Sequence, residues 1–146
     1  MTALFFVDSN VLIYCHDSAS PAKQSRAKQW IDHLWSARRG RLSIQVLQEF
    51  YVNVTQKVKP GLDRSRARQE ISALTAWHAV VNNSLALLAA WDIQDRYGLS
   101  LWDSLIVAAA QATGSGFLLT EDLQHGQDFE GVVVVNPFLE APPLSI

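Results

Sequence analysis

The chain begins with an unbroken apolar run, Ala3-Leu4-Phe5-Phe6-Val7, that stops on a carboxylate, Asp8. A run this short and this uniformly apolar reads as a strand buried on both faces, and such strands belong to parallel sheets covered by helices. In open parallel α/β sheets ligands bind in the crevice beyond the carboxyl ends of the strands, so Asp8 stands where chemistry is expected. Ser9 and Asn10 can cap the helix that Val11-Leu12-Ile13-Tyr14 begins, and its N-terminal dipole favours an ionised Asp8. Taken alone, Asp8 reads as a turn or capping residue. Its meaning depends on whether other acids share its position.

The rest of the chain repeats the pattern of short apolar runs followed by helices. Ser20-Pro21 is a helix start, with Pro21 at the first helical position. Trp30, Ile31, Leu34 and Trp35 then recur at helical spacing as core residues, up to a stop at Arg38-Arg39-Gly40. Leu42-Ser43-Ile44 reads as the second strand. Val46, Leu47, Phe50, Tyr51 and Val54 form a helical stripe that runs to Pro60-Gly61, with Glu49 beside it in the first turns. Asp63 or Ser65 caps a further helix ending near Trp77, and His78-Ala79-Val80-Val81 reads as a third strand. A helix from residue 84 stops at Gly98, and the strongly apolar helix opened by Asp103 ends at Gly114. Phe117-Leu118-Leu119-Thr120 and Val132-Val133-Val134-Val135 are the last two strands, the former ending in Glu121-Asp122. Five strands interleaved with helices predict one α/β domain over residues 1–146 with a mostly parallel sheet.

At 146 residues the chain is long enough for one well-formed core. With one cysteine, Cys15, it can form neither an internal disulfide nor a thiolate zinc cage. No apolar run approaches the ~20 residues of a membrane span, and no basic leader precedes a long apolar core, so a soluble cytoplasmic protein is expected. The net charge of −2 conceals a division: residues 18–68 hold 11 Lys and Arg against 3 acids, whereas residues 69–146 hold 9 acids against Arg96 alone. A basic region suited to a polyanion and an acidic region suited to cations fit this division, although each of those cations singly is an ordinary solvated helix residue.

Four elements place a carboxylate at the ligand side of the predicted sheet: Asp8 after the first strand, Glu49 on the helix after the second, Asp103 opening a helix and Asp122 after the fourth. Four converging acids repel one another, and a divalent cation is the usual remedy. Oxygen donors without thiolates suit Mg²⁺ or Mn²⁺. His16, His33, His78 and His125 show no metal-ligand spacing. Acid-held divalent cations serve in-line displacement at phosphorus, which makes a phosphodiester the natural substrate.

Asp8-Ser9-Asn10-Val11-Leu12-Ile13-Tyr14, Gln48-Glu49-Phe50, Trp102-Asp103-Ser104-Leu105-Ile106-Val107-Ala108-Ala109-Ala110 and Leu118-Leu119-Thr120-Glu121-Asp122-Leu123-Gln124-His125-Gly126 resemble, in order and spacing, the successive motifs of the PIN-domain nucleases. Val133-Val134-Val135-Asn136-Pro137-Phe138 fits the same pattern, and the likeness is greatest to the VapC-type toxins of toxin–antitoxin pairs. The resemblance implies a parallel sheet of order 3-2-1-4-5 between helices. It also implies Mg²⁺- or Mn²⁺-dependent endoribonuclease activity, homodimerisation, and a cognate antitoxin whose C-terminal segment covers the acidic site. It gives metal-ligand or water-activating roles to Asp8, Glu49, Asp103 and Asp122, and a ligand- or phosphate-orienting hydroxyl to Thr120. Glu121 or Asp128 can share or take over the role of Asp122. Asn10 either supports the ligands or only caps its helix.

Competing readings fail on single residues. A haloacid-dehalogenase-type phosphatase needs a second Asp two residues after the first, where this chain has Asn10; a response-regulator receiver needs a late Lys, and none follows Lys59. A dinucleotide-binding turn needs glycines that Asp8-Ser9-Asn10 lacks. The alternative from another class is a catalytically silent PIN-like module that binds RNA or a partner.

Overall fold

A computed structural model describes residues 3–143. Its elements are β1 (Phe5–Val7), α1 (Ser9–Tyr14), α2 (Pro21–Ala37), β2 (Gly40–Arg41), α3 (Ile44–Val52), α4 (Arg64–Leu74), α5 (Ser84–Tyr97), α6 (Leu101–Ala112), β3 (Phe117–Leu119), β4 (Asp128–Phe129) and β5 (Val132–Val135). The strands form one sheet in the order β2-β1-β3-β5-β4. All neighbours are parallel except β4 and β5, which form an antiparallel hairpin at the edge. Among the described residues no helix is long and apolar enough to cross a membrane.

The expected lateral order 3-2-1-4-5 survives with two changes. The expected third strand at residues 78–81 shrinks to a single parallel bridge, Val80 to Ser43, in which Ile44 N–H donates to Val80 O (2.9 Å) and Val80 N–H to Leu42 O (3.2 Å). His78 explains the shrinkage: at φ 56° it turns the backbone left-handed and ends a 3₁₀ turn, Thr75–Trp77, so no strand can start there. The second change is the added β4, joined to β5 through Glu130 (φ 56°) and Gly131 (φ 104°). Two successive positive φ values are what a two-residue hairpin with the native strand twist requires, and Gly131 accepts one without a Cβ clash.

Element ends differ from expectation where side chains compete for backbone groups. Asp8, rather than Ser9 or Asn10, caps α1, its Oδ1 accepting from Ser9 N–H at 2.7 Å. Strand two lies at Gly40–Arg41 instead of residues 42–44, because Ser43 Oγ accepts from Val46 N–H (3.3 Å) and starts α3. That helix continues beyond Val52 as a π-helical turn, Asn53–Lys57, where Asn53 Nδ2 donates to Glu49 O (2.8 Å) and Thr55 Oγ1 to Tyr51 O (2.7 Å). Asp63 caps α4 as expected, and α5 ends at Gly98 as expected, whereas α6 starts at Leu101, two residues before Asp103.

The core is built from the expected runs. Phe6, Val7, Leu118, Leu119 and Val134 of the central strands are buried together with Val107 and Ala110 of α6 and Trp30 and Leu34 of α2. Trp35, expected in the core with Trp30, is 46% exposed and rests against Trp77. Five residues rotate a helix by about 140° past a full turn, so the two tryptophans cannot share a face. Trp77 covers Gly40, where a Cβ would come within 2.5 Å of the indole; the close packing of α4's end on β2 depends on that glycine.

Candidate active site

β1 and β3 are adjacent and in parallel register, Val7 opposite Leu119, so the residues that follow them, Asp8 and Thr120, emerge side by side at the carboxyl edge of the sheet. Asp8 N–H donates to Leu119 O (3.0 Å) and Thr120 N–H to Val135 O (3.1 Å), which extends the ladder to the rim of the crevice. The two apolar strands thereby fix both backbones before any side chain acts.

Thr120 Oγ1 is the centre of the polar network. It donates to Asp8 Oδ2 (2.9 Å) and accepts from Asn10 Nδ2 (3.0 Å) and Asp122 N–H (3.1 Å), which uses its one proton and both lone pairs. Asn10 Nδ2 also reaches Asp8 Oδ2 (3.3 Å) and Asp122 Oδ2 (3.2 Å), and Asn10 Oδ1 accepts from Glu121 N–H (3.3 Å). Asn10 therefore ties both strand ends together and leaves the capping of α1 to Asp8.

Glu49 comes from the second turn of α3, beside the buried face that Val46, Leu47 and Phe50 present, and is half-buried. Its Oε1 is shielded from solvent and has no hydrogen-bond partner among the described residues. Asp103 occupies the first turn of α6, where its N–H donates to Ser100 Oγ (3.1 Å) and the buried run from Ser104 to Ala110 anchors it against the sheet.

Electrostatics link all four acids. Asp8 is 5% exposed, and burial pushes its carboxyl from 3.8 up to about 7. The hydrogen bonds from Thr120 and Ser9 oppose that rise, and the charges of Glu49 and Asp122 add to it. Glu49 is raised by burial, with the Ser9 hydroxyl opposing and Asp103 and Asp122 adding. Asp122 has an exposed side chain overall, yet partial enclosure of its carboxyl raises it, against the Asn10 amide and with Asp103 and Glu121. The carboxyls of Asp8, Glu49 and Asp122 are thus held above their ordinary values by burial and by their acidic neighbours.

The expected residues are thereby grouped: Asp8, Glu49, Asp103 and Asp122 face one another's charge, with Asn10 and Thr120 between them. Two alternatives for Asp122 are otherwise engaged. Glu121 Oε2 accepts from Lys23 Nζ at 2.8 Å, and Asp128 Oδ1 accepts from Gly131 N–H at 2.7 Å within the β4–β5 turn. His16 pairs with Glu70 (2.9 Å), and His125 Nδ1 accepts from Asn136 N–H (3.0 Å). Sequence reasoning missed Ser9 as a neighbour of Glu49 and Lys23 as the partner of Glu121; no spacing signal marks either.

Among the described residues, as they stand, no three His, Cys, Asp or Glu side chains close on a single point in the manner of a formed metal centre. The donor chemistry is nonetheless that of a hard divalent cation: carboxylate oxygens only, one of them a buried orphan, and no thiolate or imidazole among the groups that raise their pKa values.

Residues 5–127 match the family model described as PIN domain. Three solved structures share the fold at low identity. A toxin–antitoxin complex from Klebsiella pneumoniae is 20% identical with a TM-score of 0.65, over 92% of this chain and 98% of that one. Mycobacterium tuberculosis VapC20, a Sarcin-Ricin loop cleaving toxin, is 20% identical with a TM-score of 0.59, over 78% and 86%. VapBC2 from Rickettsia felis, bound to a DNA fragment from its promoter, is 12% identical with a TM-score of 0.56, over 90% and 96%. No curated protein sequence matches the chain.

Proposed function

The chain belongs to the PIN-domain family, and from its four-acid crevice we propose that it is a metal-dependent endoribonuclease of the VapC type, the cytoplasmic toxin of a toxin–antitoxin pair. The observation that carries this reading is the hydrogen-bonded link of Asp8, Asn10, Thr120 and Asp122 across two adjacent strand ends, with Glu49 and Asp103 adding their charge. Asp8, Glu49, Asp103 and Asp122 would hold Mg²⁺ or Mn²⁺, which supplies a more acidic bound water and neutralises charge on the phosphoryl group. Asp8 is fixed by Thr120 Oγ1 and Ser9 N–H, so its orientation costs nothing when substrate arrives. Water adds to phosphorus in line with the departing O3′, the P–O3′ bond breaks, and the products are a 5′-phosphate and a 3′-hydroxyl. Thr120 and Asn10 hold the ligands, and Glu121 holds the outer flank through Lys23.

The names of the fold's relatives support a protein partner as well. The Klebsiella structure is a toxin–antitoxin complex and the Rickettsia one a VapBC2 assembly. A cognate antitoxin whose C-terminal segment covers the crevice is the corresponding partner here. Homodimerisation fits the exposed residues Leu85, Leu88 and Trp91, three apart along α5, together with Trp102 at the start of α6.

The test is incubation of the purified chain with total RNA in Mg²⁺ or in EDTA, with the new 5′ ends mapped. Cleavage in Mg²⁺ that leaves 5′-phosphates and stops in EDTA is expected. RNA binding without cleavage under any metal condition would instead favour the silent module. The same preparation is expected to have a dimer's mass by light scattering, and a monomer's mass would remove the homodimer.

A further inference from the structure

Around Lys23, the partner of Glu121, lies an open cavity of about 430 Å³ lined by Ala22, Lys23, Ser25, Arg26, Gln29 and Phe138. Lys23 and Arg26 are three apart on the first turns of α2 and so share a face. Lys23 Nζ is 2.8 Å from Glu121 Oε2 and 3.4 Å from Tyr14 Oη, and stands 4.9 Å from the Tyr14 ring centre and 5.1 Å from that of Phe138. Arg26 Nη1 donates to Pro137 O at 3.2 Å, which ties the same helix face to the segment following β5. Glu121 precedes Asp122, and its N–H is bound by Asn10, so this cationic wall is joined through one residue to the acid network.

We propose that Lys23 and Arg26 form the subsite for the RNA phosphate next to the scissile one, with Phe138 as the wall against which the adjoining nucleoside packs. This rests on the reading of the acid crevice as a ribonuclease site and adds which cations carry the strand. The acids repel a polyanion wherever their charge is uncompensated, so a strand entering that crevice needs fixed positive charge at its edge. The cavity supplies it on a helix rather than a loop. The Lys23–Glu121 pair is partly open to solvent, its side chains 43% and 21% exposed, and screening at the lysine end lets a phosphate compete for the ammonium. Aromatic rings beside cations are also the usual platform for single-stranded nucleic acid.

Fluorescence anisotropy of a labelled, randomised single-stranded RNA 12-mer tests this, on full-length chains carrying Asp103→Asn, in Mg²⁺, with probe integrity checked on a gel. Lys23→Ala with Arg26→Ala is expected to weaken binding roughly tenfold or more and to reduce the salt slope by about 0.7 for each cation lost. Lys23→Arg should restore its share of the slope. Phe138→Leu should weaken binding about fivefold with the slope unchanged. Arg64→Ala, on exposed α4, should change neither. Affinity and slope unaltered in the double variant would overturn the subsite and leave its cations to an acidic protein segment. No binding of the probe by the parent chain would overturn it as well. Cleavage of the same probe without Asp103→Asn is read in parallel, so failure of the nuclease reading and failure of the subsite appear in different measurements.

Discussion

Asp103→Asn is expected to lower the rate of RNA cleavage roughly 10³-fold while the protein remains folded, a loss of about 4 kcal/mol of transition-state stabilisation. The substitution keeps shape and volume and removes a charge. Asp103 sits in the first turn of α6, where its backbone N–H, not its carboxylate, completes the Ser100 cap, so the helix survives the change. Its charge is what Glu49 and Asp122 sense, and that charge is what a bound cation would use. Asp128→Asn is the matched control. Asp128 holds Gly131 N–H in the β4–β5 turn, so its loss of charge should leave the cleavage rate within about twofold, because exposed turn residues act on local stability only. Single-turnover assays on the two variants decide between them. Equal loss in both would remove the special position given to the crevice acids.

The second large effect has the opposite sign. Without metal, Asp8→Asn is expected to stabilise the fold at pH 8, by about 2–4 kcal/mol. Asp8 titrates at 3.8 when unperturbed and at about 7 when buried, so between these values the native chain holds a proton that the unfolded chain has released. Stability therefore falls as pH rises from about 4 to 7 and stays low above that. Asparagine has no such proton to lose, and its oxygen can still cap α1 through Ser9 N–H. Urea unfolding in EDTA across this range should show wild type losing stability and the variant holding it, with the two converging near pH 4. A variant less stable than wild type at pH 8 would mean that Asp8's hydrogen bonds outweigh its burial. An activity lost together with a stability gained is the expected signature of a site whose acids are assembled at the expense of the metal-free fold.

The parts legible in the sequence are those set by local chemistry. Apolar runs ending in polar residues located β1 and β3, and with them Asp8 and Thr120; helical stripes located Glu49 and Asp103. These signals are short-range, because a strand buried on both faces or a half-buried helix must carry its own pattern. What escaped depends on partners distant in the chain. The Lys23–Glu121 bond joins residues 98 apart, and nothing in α2 distinguishes Lys23 from a solvated lysine. β4 spans two residues, too few for any alternation, and is defined by its hairpin turn rather than by its own composition. His78 reads as part of a strand, and nothing in its own residue type signals the left-handed backbone it adopts after the Trp77 turn that packs on Gly40. Asn10 has two open roles on sequence alone; in the fold Asp8 caps α1 and the Asn10 amide bonds Asp8, Thr120 and Asp122, an adjacency that no local pattern announces.

Asp8, Glu49, Asp103 and Asp122 are proposed to act together as a cation site. Calorimetric titration of Mn²⁺ into the metal-free protein at pH 8 measures that site. Saturable binding by wild type, weakened at least about tenfold by Asp8→Asn and by Asp103→Asn but unchanged by Asp128→Asn, is the predicted result. Binding that is absent in wild type, or equally strong in all four proteins, would contradict it.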